Sequence, residues 1–446
     1  MKLNSDPSAR LLARADHCVK CGLCLPHCPT YTLTLDENES PRGRIALLQG
    51  LASGALETDE RLAGHLDHCL ACRACESVCP SGVQYGRILD DGRALLAERR
   101  PLRGTARRLH DLALGLVTHR RRRRALARLL RLYQRSGLRR AVRATGLLRL
   151  LDLGAGGRRP GHRPSDWEAQ LPPVPAPPRW QARYPAQGER RATVALFTGC
   201  VGEALDGPTL NAAVRVLTRL GYEVLVPPAQ TCCGALHQHG GDPHTARRLA
   251  RDNLAAFADE QITAVVSCAS GCGAQLAEYG ALDWDDAAER DRAEALAGRV
   301  VDIGAFLADR DWPVTPAPLA ARALVHEPCT LRNVLHAEAA AYRLLARIPG
   351  LDVEPLAGNA LCCGAAGSYM LTEPEMARAL RAPKLDAVEA GGPDLLVTSN
   401  IGCALHLAAG LRERGRPAPE VVHPIVLLDR QLQDVRGEVP IPGAER

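Results

Sequence analysis

Two short cysteine runs constrain this chain more than anything else in it. The first is Cys18-x2-Cys21-x2-Cys24-x3-Cys28-Pro29 and the second is Cys69-x2-Cys72-x2-Cys75-x3-Cys79-Pro80. Three thiols spaced by two residues converge from one tight loop on a single bulky centre. The fourth lies beyond a turn that the following proline fixes, and it points away. Of seventeen cysteines, eight lie before residue 80, none between 80 and 199, and nine from Cys200 onward. Met1 to His17 lacks a secretory hydrophobic core and no run of eighteen apolar residues exists, so the chain is expected in the cytoplasm. In a reducing compartment, that many thiols point to metal before disulfides.

Both runs match the bacterial ferredoxin spacing for two [4Fe-4S] clusters, in which the fourth thiolate of each run serves the other cluster. Cluster I is then expected on Cys18, Cys21, Cys24 and Cys79, and cluster II on Cys69, Cys72, Cys75 and Cys28. Cross-ligation makes the two clusters close neighbours, as sequential electron transfer requires. Structural zinc pairs two x2 dyads and would leave ligands unused. Eight clustered nucleophiles make no sense as catalytic thiols.

Around these runs the pattern is helical: Ser40 reads as the N-cap of a helix with Pro41 at its first position, a second covers Glu57 to Leu66, and a third Tyr85 to Arg99. Leu102 to Leu151 predicts two or three amphipathic helices with basic outer faces. Between Arg99 and Leu151 there are seventeen Arg against one acid, Asp111, so this segment carries +16 while the whole chain is only +6. Such a segment suits nucleic acid, anionic lipid or an acidic partner, or is a merely solvated basic surface. Tyr133 is its only aromatic residue, which argues against base stacking and favours a partner protein or a membrane surface over nucleic acid. Leu153 to Arg191, with Pro172-Pro173-Val174-Pro175-Ala176-Pro177-Pro178, is expected to be a linker too rich in Pro and Gly for regular structure.

Beyond it, β-type runs alternate with helical ones, and the order repeats. Cys200, Cys232, Cys233 and Cys272 precede Cys329, Cys362, Cys363 and Cys403 by 129, 130, 130 and 131 residues, which marks an internal duplication. Two α/β halves packed as a pseudo-twofold pair are expected. Each carries a Cys-Cys-Gly motif whose glycine permits close backbone approach, and thiols at the carboxyl ends of strands. Those eight cysteines offer one metal site per half or one shared site, with structural thiols as the alternative. Cys268 has no counterpart, Ser399 standing in its place, and is as much ligand as bystander. His237, His239, His326, His406 and His423 lie near these motifs as candidate proton donors, His237 and His326 foremost because they adjoin them.

The fold expected is therefore α+β and multidomain: an N-terminal α-helical two-cluster ferredoxin domain over 1–100, a basic helical segment and linker over 101–191, and two duplicated α/β cysteine-rich domains over 192–312 and 313–446. This arrangement resembles the iron-sulfur subunits of bacterial glycolate oxidase along nearly the whole chain. Ser40-Pro-Arg-Gly-Arg-Ile45, Gly271-Cys-Gly-Ala274, Glu278-Tyr-Gly280 and Ser399-Asn-Ile-Gly-Cys403 add to the likeness. The resemblance implies a subunit of a glycolate:acceptor oxidoreductase. An FAD-containing 2-hydroxy-acid dehydrogenase partner would oxidise glycolate to glyoxylate, and D-lactate to pyruvate, and this chain would pass the electrons to a quinone or other membrane acceptor. A peripheral position on the inner face of the cell membrane would suit that role.

Iron-sulfur subunits of anaerobic glycerol-3-phosphate dehydrogenase, of lactate utilisation and of heterodisulfide reductase reuse the same modules, and fold alone does not separate them. Ala269 and Asn400 replace the first cysteine of the Cys-x2-Cys that ends each heterodisulfide-reductase motif, which argues against a pair of noncubane clusters. The Arg99 to Arg191 insert is more arginine-rich than the family leads one to expect, so its role is not carried over from the resemblance. No dinucleotide fingerprint occurs, so the flavin is expected on another chain, and no catalytic residue is assigned to this one. A rival reading makes the duplicated part itself the reaction site, reducing a disulfide or similar acceptor.

Overall fold

The structure is a computed structural model and describes residues 6–154, 163–415 and 417–433. The Gly-rich start of the expected linker and the last residues of the chain lie outside these.

Helices Pro7–Ala15, Pro41–Ser53, Glu60–Asp67 and Tyr85–Arg99 build the N-terminal part. Ser40 caps the second as its sequence predicts, its hydroxyl accepting from the Gly43 amide, and Pro41 opens it. Their apolar faces meet in a core of Leu11, Ile45, Leu48, Leu51, Leu66, Ile88 and Leu89. Gly92 lets two of these helices touch: a Cβ there would lie 2.2 Å from the Leu48 side chain. The cysteine runs form loops on the rim of this core.

Four helices follow instead of two or three: Gly104–Thr118, Arg120–Arg135, Leu138–Ala144 and Leu147–Gly154. Gly137 and Gly146, both with left-handed φ, end the second and third stretches and account for the extra breaks. The linker is also more ordered than its composition suggests. Pro164 opens a helix, Pro164–Gln170, whose Glu168 is buried against Arg139 and Arg143. Arg183–Tyr184 forms strand β1, so the first sheet takes in residues from before position 192. Proline and glycine content misses both because the partners that stabilise them lie far away in sequence.

The duplicated part contains two sheets. In the first, β2 (Ala192–Phe197), β3 (Tyr222–Leu225), β4 (Ile262–Ser267) and β5 (Val300–Asp302) run parallel in the order β3-β2-β4-β5, with β1 antiparallel on the β3 edge. In the second, β6 (Ala321–His326), β7 (Leu351–Pro355), β8 (Leu395–Thr398) and β9 (Glu420–Val422) are parallel in the matching order β7-β6-β8-β9. Buried on both faces, the central strands are near-continuous apolar runs.

The halves also exchange their closing helices. Pro424–Gln433 of the second packs on Gly207–Arg219 of the first, and Ile303–Ala308 of the first packs on Glu338–Leu345 of the second. Ile425 and Leu428 thus share a core with Val216 and Leu217, so neither half closes its own hydrophobic surface.

Candidate functional site

The two cysteine loops have the same backbone shape. Lys20 and Ala71, each two residues after the first thiol, have φ of 56° and 49°, and Gly22 and Arg73, each one residue after the second thiol, have φ of 87° and 60°. Left-handed backbone at a non-glycine residue costs about 1–2 kcal/mol. Three such residues at matched positions mean that the loops are bent to wrap a group, turning successive amides and thiols inward.

One cavity is lined by Cys69, Cys72 and Cys75 of the second run and by Cys28 of the first. Cys28 is the distant fourth thiol of its run, and it sits with the other run's three. Cys18 and Cys21 are electrostatic neighbours of Cys24, whose thiol burial pushes up. The residues fit a [4Fe-4S] centre: four thiols, an enclosing loop and hydrogen-bonding groups against the sulfurs. Thr30 Oγ1 lies 3.3 Å from Cys28 Sγ, and Tyr85 OH 3.5 Å from Cys69 Sγ.

Arg44, 1% exposed, runs behind this cavity. It donates to Thr30 Oγ1 at 3.0 Å, to the His65 carbonyl at 2.6 Å and to the buried carboxylate of Glu39. His65 Nδ1 and His68 Nδ1 meet the same carboxylate at 2.7 and 2.9 Å. Burial works against the Glu39 charge, and the bonds with His68 and His65 together with Arg44 still hold it below the usual carboxylate range. Glu39, His65 and His68 could cluster round a cation, but their atoms are already committed to one another and to Arg44. Sequence reasoning passed over Arg44, Thr30 and Tyr85; for Arg44 the signal was an arginine on the inward stripe of an otherwise apolar helix.

In the first half of the duplication Cys200 and Cys232 approach to 3.5 Å between sulfurs, and Cys233 is a neighbour of Cys272. In the second, Cys329 and Cys362 lie 3.8 Å apart, and Cys363 and Cys403 gather with His326. Each half thus sets its thiols as neighbours, Cys200 with Cys232 and Cys233 with Cys272 in the first, Cys329 with Cys362 and Cys363 with Cys403 in the second. Cys268 stands apart from the first four, in the core formed with Val266 and Ile303, and is packing.

The histidines separate by role. His326 Nδ1 bonds Thr398 Oγ1 at 3.0 Å, and burial pushes its pKa down to about 3. His237 pairs with Asp242 at 3.2 Å, His239 with Asp90 at 2.9 Å, and His406 Nε2 meets the Ala377 carbonyl at 3.1 Å. His423 Nδ1 accepts from the Ile425 amide at the start of a closing helix. Of the five, only His326 faces a set of thiols within ligating distance among the described residues.

The second half lies against the loop of the second cysteine run. Asn333 Nδ2 donates to the Cys72 carbonyl at 2.8 Å, and Leu70 and Cys72 pack with Cys329, Cys362, Tyr369 and Ala377. Cys72 and Cys362 are close enough to perturb each other's ionisation. The first half makes a different contact with the N-terminal part, through Arg73 with Glu278 and Asp90 with His239.

The arginine run behaves differently from the expected docking surface. Arg120, Arg123 and Arg124 turn inward on Glu203, which is 2% exposed and lies next to Cys200. Glu203 stays ionised against its burial because Arg123 and its neighbours hold its pKa down. No helix among the described residues is long and apolar enough to cross a membrane.

Models of known protein families match four stretches of the chain. Residues 14–83 match the 4Fe-4S dicluster domain, residues 194–277 and 323–408 the cysteine-rich domain, and residues 105–155 the linker region of glycolate oxidase iron-sulfur subunits. The chain is 39% identical over 412 residues to a probable glycolate oxidase iron-sulfur subunit of Bacillus subtilis, covering 90% of this chain and 89% of that one. It is 35% identical over 415 residues to the glycolate oxidase iron-sulfur subunit of Escherichia coli, covering 91% and 92%. Lactate utilization protein A of Exiguobacterium is 29% identical over 231 residues, 52% of this chain and 94% of its own length.

Proposed function

Because this chain belongs to the family of glycolate oxidase iron-sulfur subunits, we propose that it carries electrons from an FAD-containing partner that oxidises glycolate to glyoxylate, and D-lactate to pyruvate, to a quinone-like acceptor. Cys18, Cys21, Cys24 and Cys79 hold one [4Fe-4S] cluster, and Cys69, Cys72, Cys75 and Cys28 hold the other. The observation that carries this assignment is Cys28 lining one cavity with Cys69, Cys72 and Cys75. Each cluster, when bound, takes up and releases one electron at a time.

The chain's residues set the conditions for that chemistry. Thr30 and Tyr85 offer hydroxyl hydrogen bonds to ligand sulfurs, and Arg44 places a fixed positive charge behind Cys28 and Cys69. Leu70, Tyr369 and Ala377 pack round Cys72 and Cys362. That apolar contact favours the second half as the side on which electrons leave, with the partner flavoprotein on the side of Cys18, Cys21 and Cys24. Cys21 is the exposed member of that set.

The test is anaerobic purification with the flavoprotein partner, followed by iron counting, EPR and a glycolate-to-dye assay. Iron for two clusters and glycolate oxidation that needs both chains are expected. Cys28→Ala should remove the cluster of the second run and Cys79→Ala that of the first. Loss of the first-run cluster in Cys28→Ala would overturn the cross-ligation. Inactivity with every 2-hydroxy acid would overturn the substrate and make glycerol 3-phosphate the next to try.

A further inference from the structure

We propose that the second cysteine-rich half holds a single transition-metal ion in a mixed nitrogen–sulfur site built from His326, Cys363 and Cys403, a site that the first half lacks. The ligand atoms of these three residues all lie within 4.8 Å of one another, and the three side chains are buried. Cys362 and Cys329, 3.8 Å apart, flank this set of three, and a four-coordinate shell would take its fourth ligand from one of them drawn in on binding. The proposal is independent of the substrate and of the acceptor.

His326 is held as a ligand should be. It ends β6, and its Nδ1 bonds the hydroxyl of Thr398, its register partner on β8, which fixes the ring and leaves Nε2 for a metal. Lys384, 3% exposed and anchored on the Gly358 carbonyl, faces Cys362, Cys363 and Cys403. Its positive charge would offset the excess negative charge of thiolates round a divalent ion in this buried site. Two or three thiolates with one imidazole select a metal of the zinc or ferrous class over magnesium or calcium.

The first half departs at both positions. β2 ends at Phe197 where β6 ends at His326, and the Phe197 ring packs on Phe257 at 6.2 Å. On the helix after the Cys-Cys-Gly motif, neutral Asn253 stands where the second half has Lys384. It bonds the Cys232 carbonyl at 3.0 Å and the Tyr279 hydroxyl at 2.9 Å. No comparable set of three ligand atoms forms round Cys200, Cys232, Cys233 and Cys272 among the described residues.

The experiment counts metals in the anaerobically purified complex by elemental analysis, with X-ray absorption at the edge of whatever metal is present. One metal ion per chain beyond the iron of two cubanes is expected, with both nitrogen and sulfur in its first shell. His326→Phe, which copies the first half, should lose that ion and keep both cubane EPR signals. Cys403→Ser serves as a second variant should His326→Phe misfold, and Phe197→Leu should leave the count unchanged. No metal beyond the cubanes, a four-iron increment, or an increment indifferent to both second-half variants would each overturn the proposal.

Discussion

The two cysteine-rich halves share strand order, thiol spacing and even their exchanged closing helices, and they differ in what surrounds the thiols. Phe197 and Asn253 in the first half correspond to His326 and Lys384 in the second. Glu203, clamped by three arginines, corresponds to Arg332, which pairs with Glu327. Although its hydrogen bond with Cys200 acts the other way, the bond with Cys233 and burial push the Cys232 thiol up, whereas its counterpart Cys362 is held low by hydrogen bonds from Cys329 and Cys363. Duplication preserved the frame, and the side chains round it diverged. One half became a neutral, latched platform, and the other a charged pocket against the cluster loop.

The largest expected effect tests the latch. Glu203 is the only acid facing Arg120, Arg123 and Arg124 in the described contacts, and Arg123 is itself buried. Glu203→Ala leaves buried guanidinium charge uncompensated and should cost about 3–5 kcal/mol in urea denaturation. Arg332→Ala, at the corresponding position, removes a half-buried guanidinium from buried Glu327, which keeps its bond from the Tyr342 hydroxyl, and should cost about 1–2 kcal/mol. Equal losses would erase the contrast between platform and pocket.

The next comparison is one of sign. Asp302 and His423 occupy matching positions before the closing helices, and both are buried. Burial pushes Asp302 up to about 6 and His423 down to about 4. Between its ordinary value near 3.8 and about 6 the folded state holds the Asp302 proton more tightly than the unfolded chain, so stability falls as pH rises through that window. His423 does the reverse: the unfolded chain binds the extra proton between about 4 and 6.5, so its contribution is lost as pH falls through that window. Each amounts to about 3 kcal/mol. Asp302→Asn should raise stability at pH 7 and remove the first limb, and His423→Asn should remove the second; unfolding midpoints measured from pH 4 to 8 separate them.

A smaller effect concerns electron exit. Cys362→Ser should slow glycolate-to-quinone transfer roughly 10–100-fold, with both cubane EPR signals retained, because it disturbs the contact with Cys72. Cys232→Ser, which has no such contact, should leave the rate nearly unchanged. Equal slowing would assign both halves to the path.

Much of this was legible in the sequence. Spacing alone placed Cys28 with the other run's thiols, because ligand geometry round a cube is local and rigid. Near-equal offsets gave the duplication because each half repeats one set of strand ends. Neither the exchange of closing helices nor the contact of Cys72 with Cys362 leaves such a mark, since both depend on how separate units pack. The arginines misled for a related reason. Charge counts cannot see Glu203, some eighty residues away, so Arg120 to Arg124 suggested an outward surface where three of the five point in. His326 and His237 were equal candidates by position, and only burial among thiols separates them.

The smallest effect lies where the halves meet. Ala269 and Asn400 are matching N-cap residues of the helices that carry Cys272 and Cys403, and only Asn400 caps with its side chain, accepting from the Gly402 amide at 2.9 Å. Its Nδ2 also crosses to Ser270 Oγ at 2.9 Å, and that hydroxyl meets Thr330 Oγ1 at 2.8 Å. Asn400→Ala removes a cap and a bond between halves together and should cost about 1–2 kcal/mol. Ser270→Ala leaves the cap but removes both bonds its hydroxyl makes across the halves, to Asn400 and Thr330, and should cost about 1–2 kcal/mol. If the polar bridge holds the halves in register, the double variant will lose less than the two single losses added, by about 0.5 kcal/mol or more in a double-mutant cycle. Strict additivity would leave the connection to the closing helices, with their Arg215–Asp429 and Arg343–Asp309 pairs, and the asymmetry at Asn400 as a matter of capping alone.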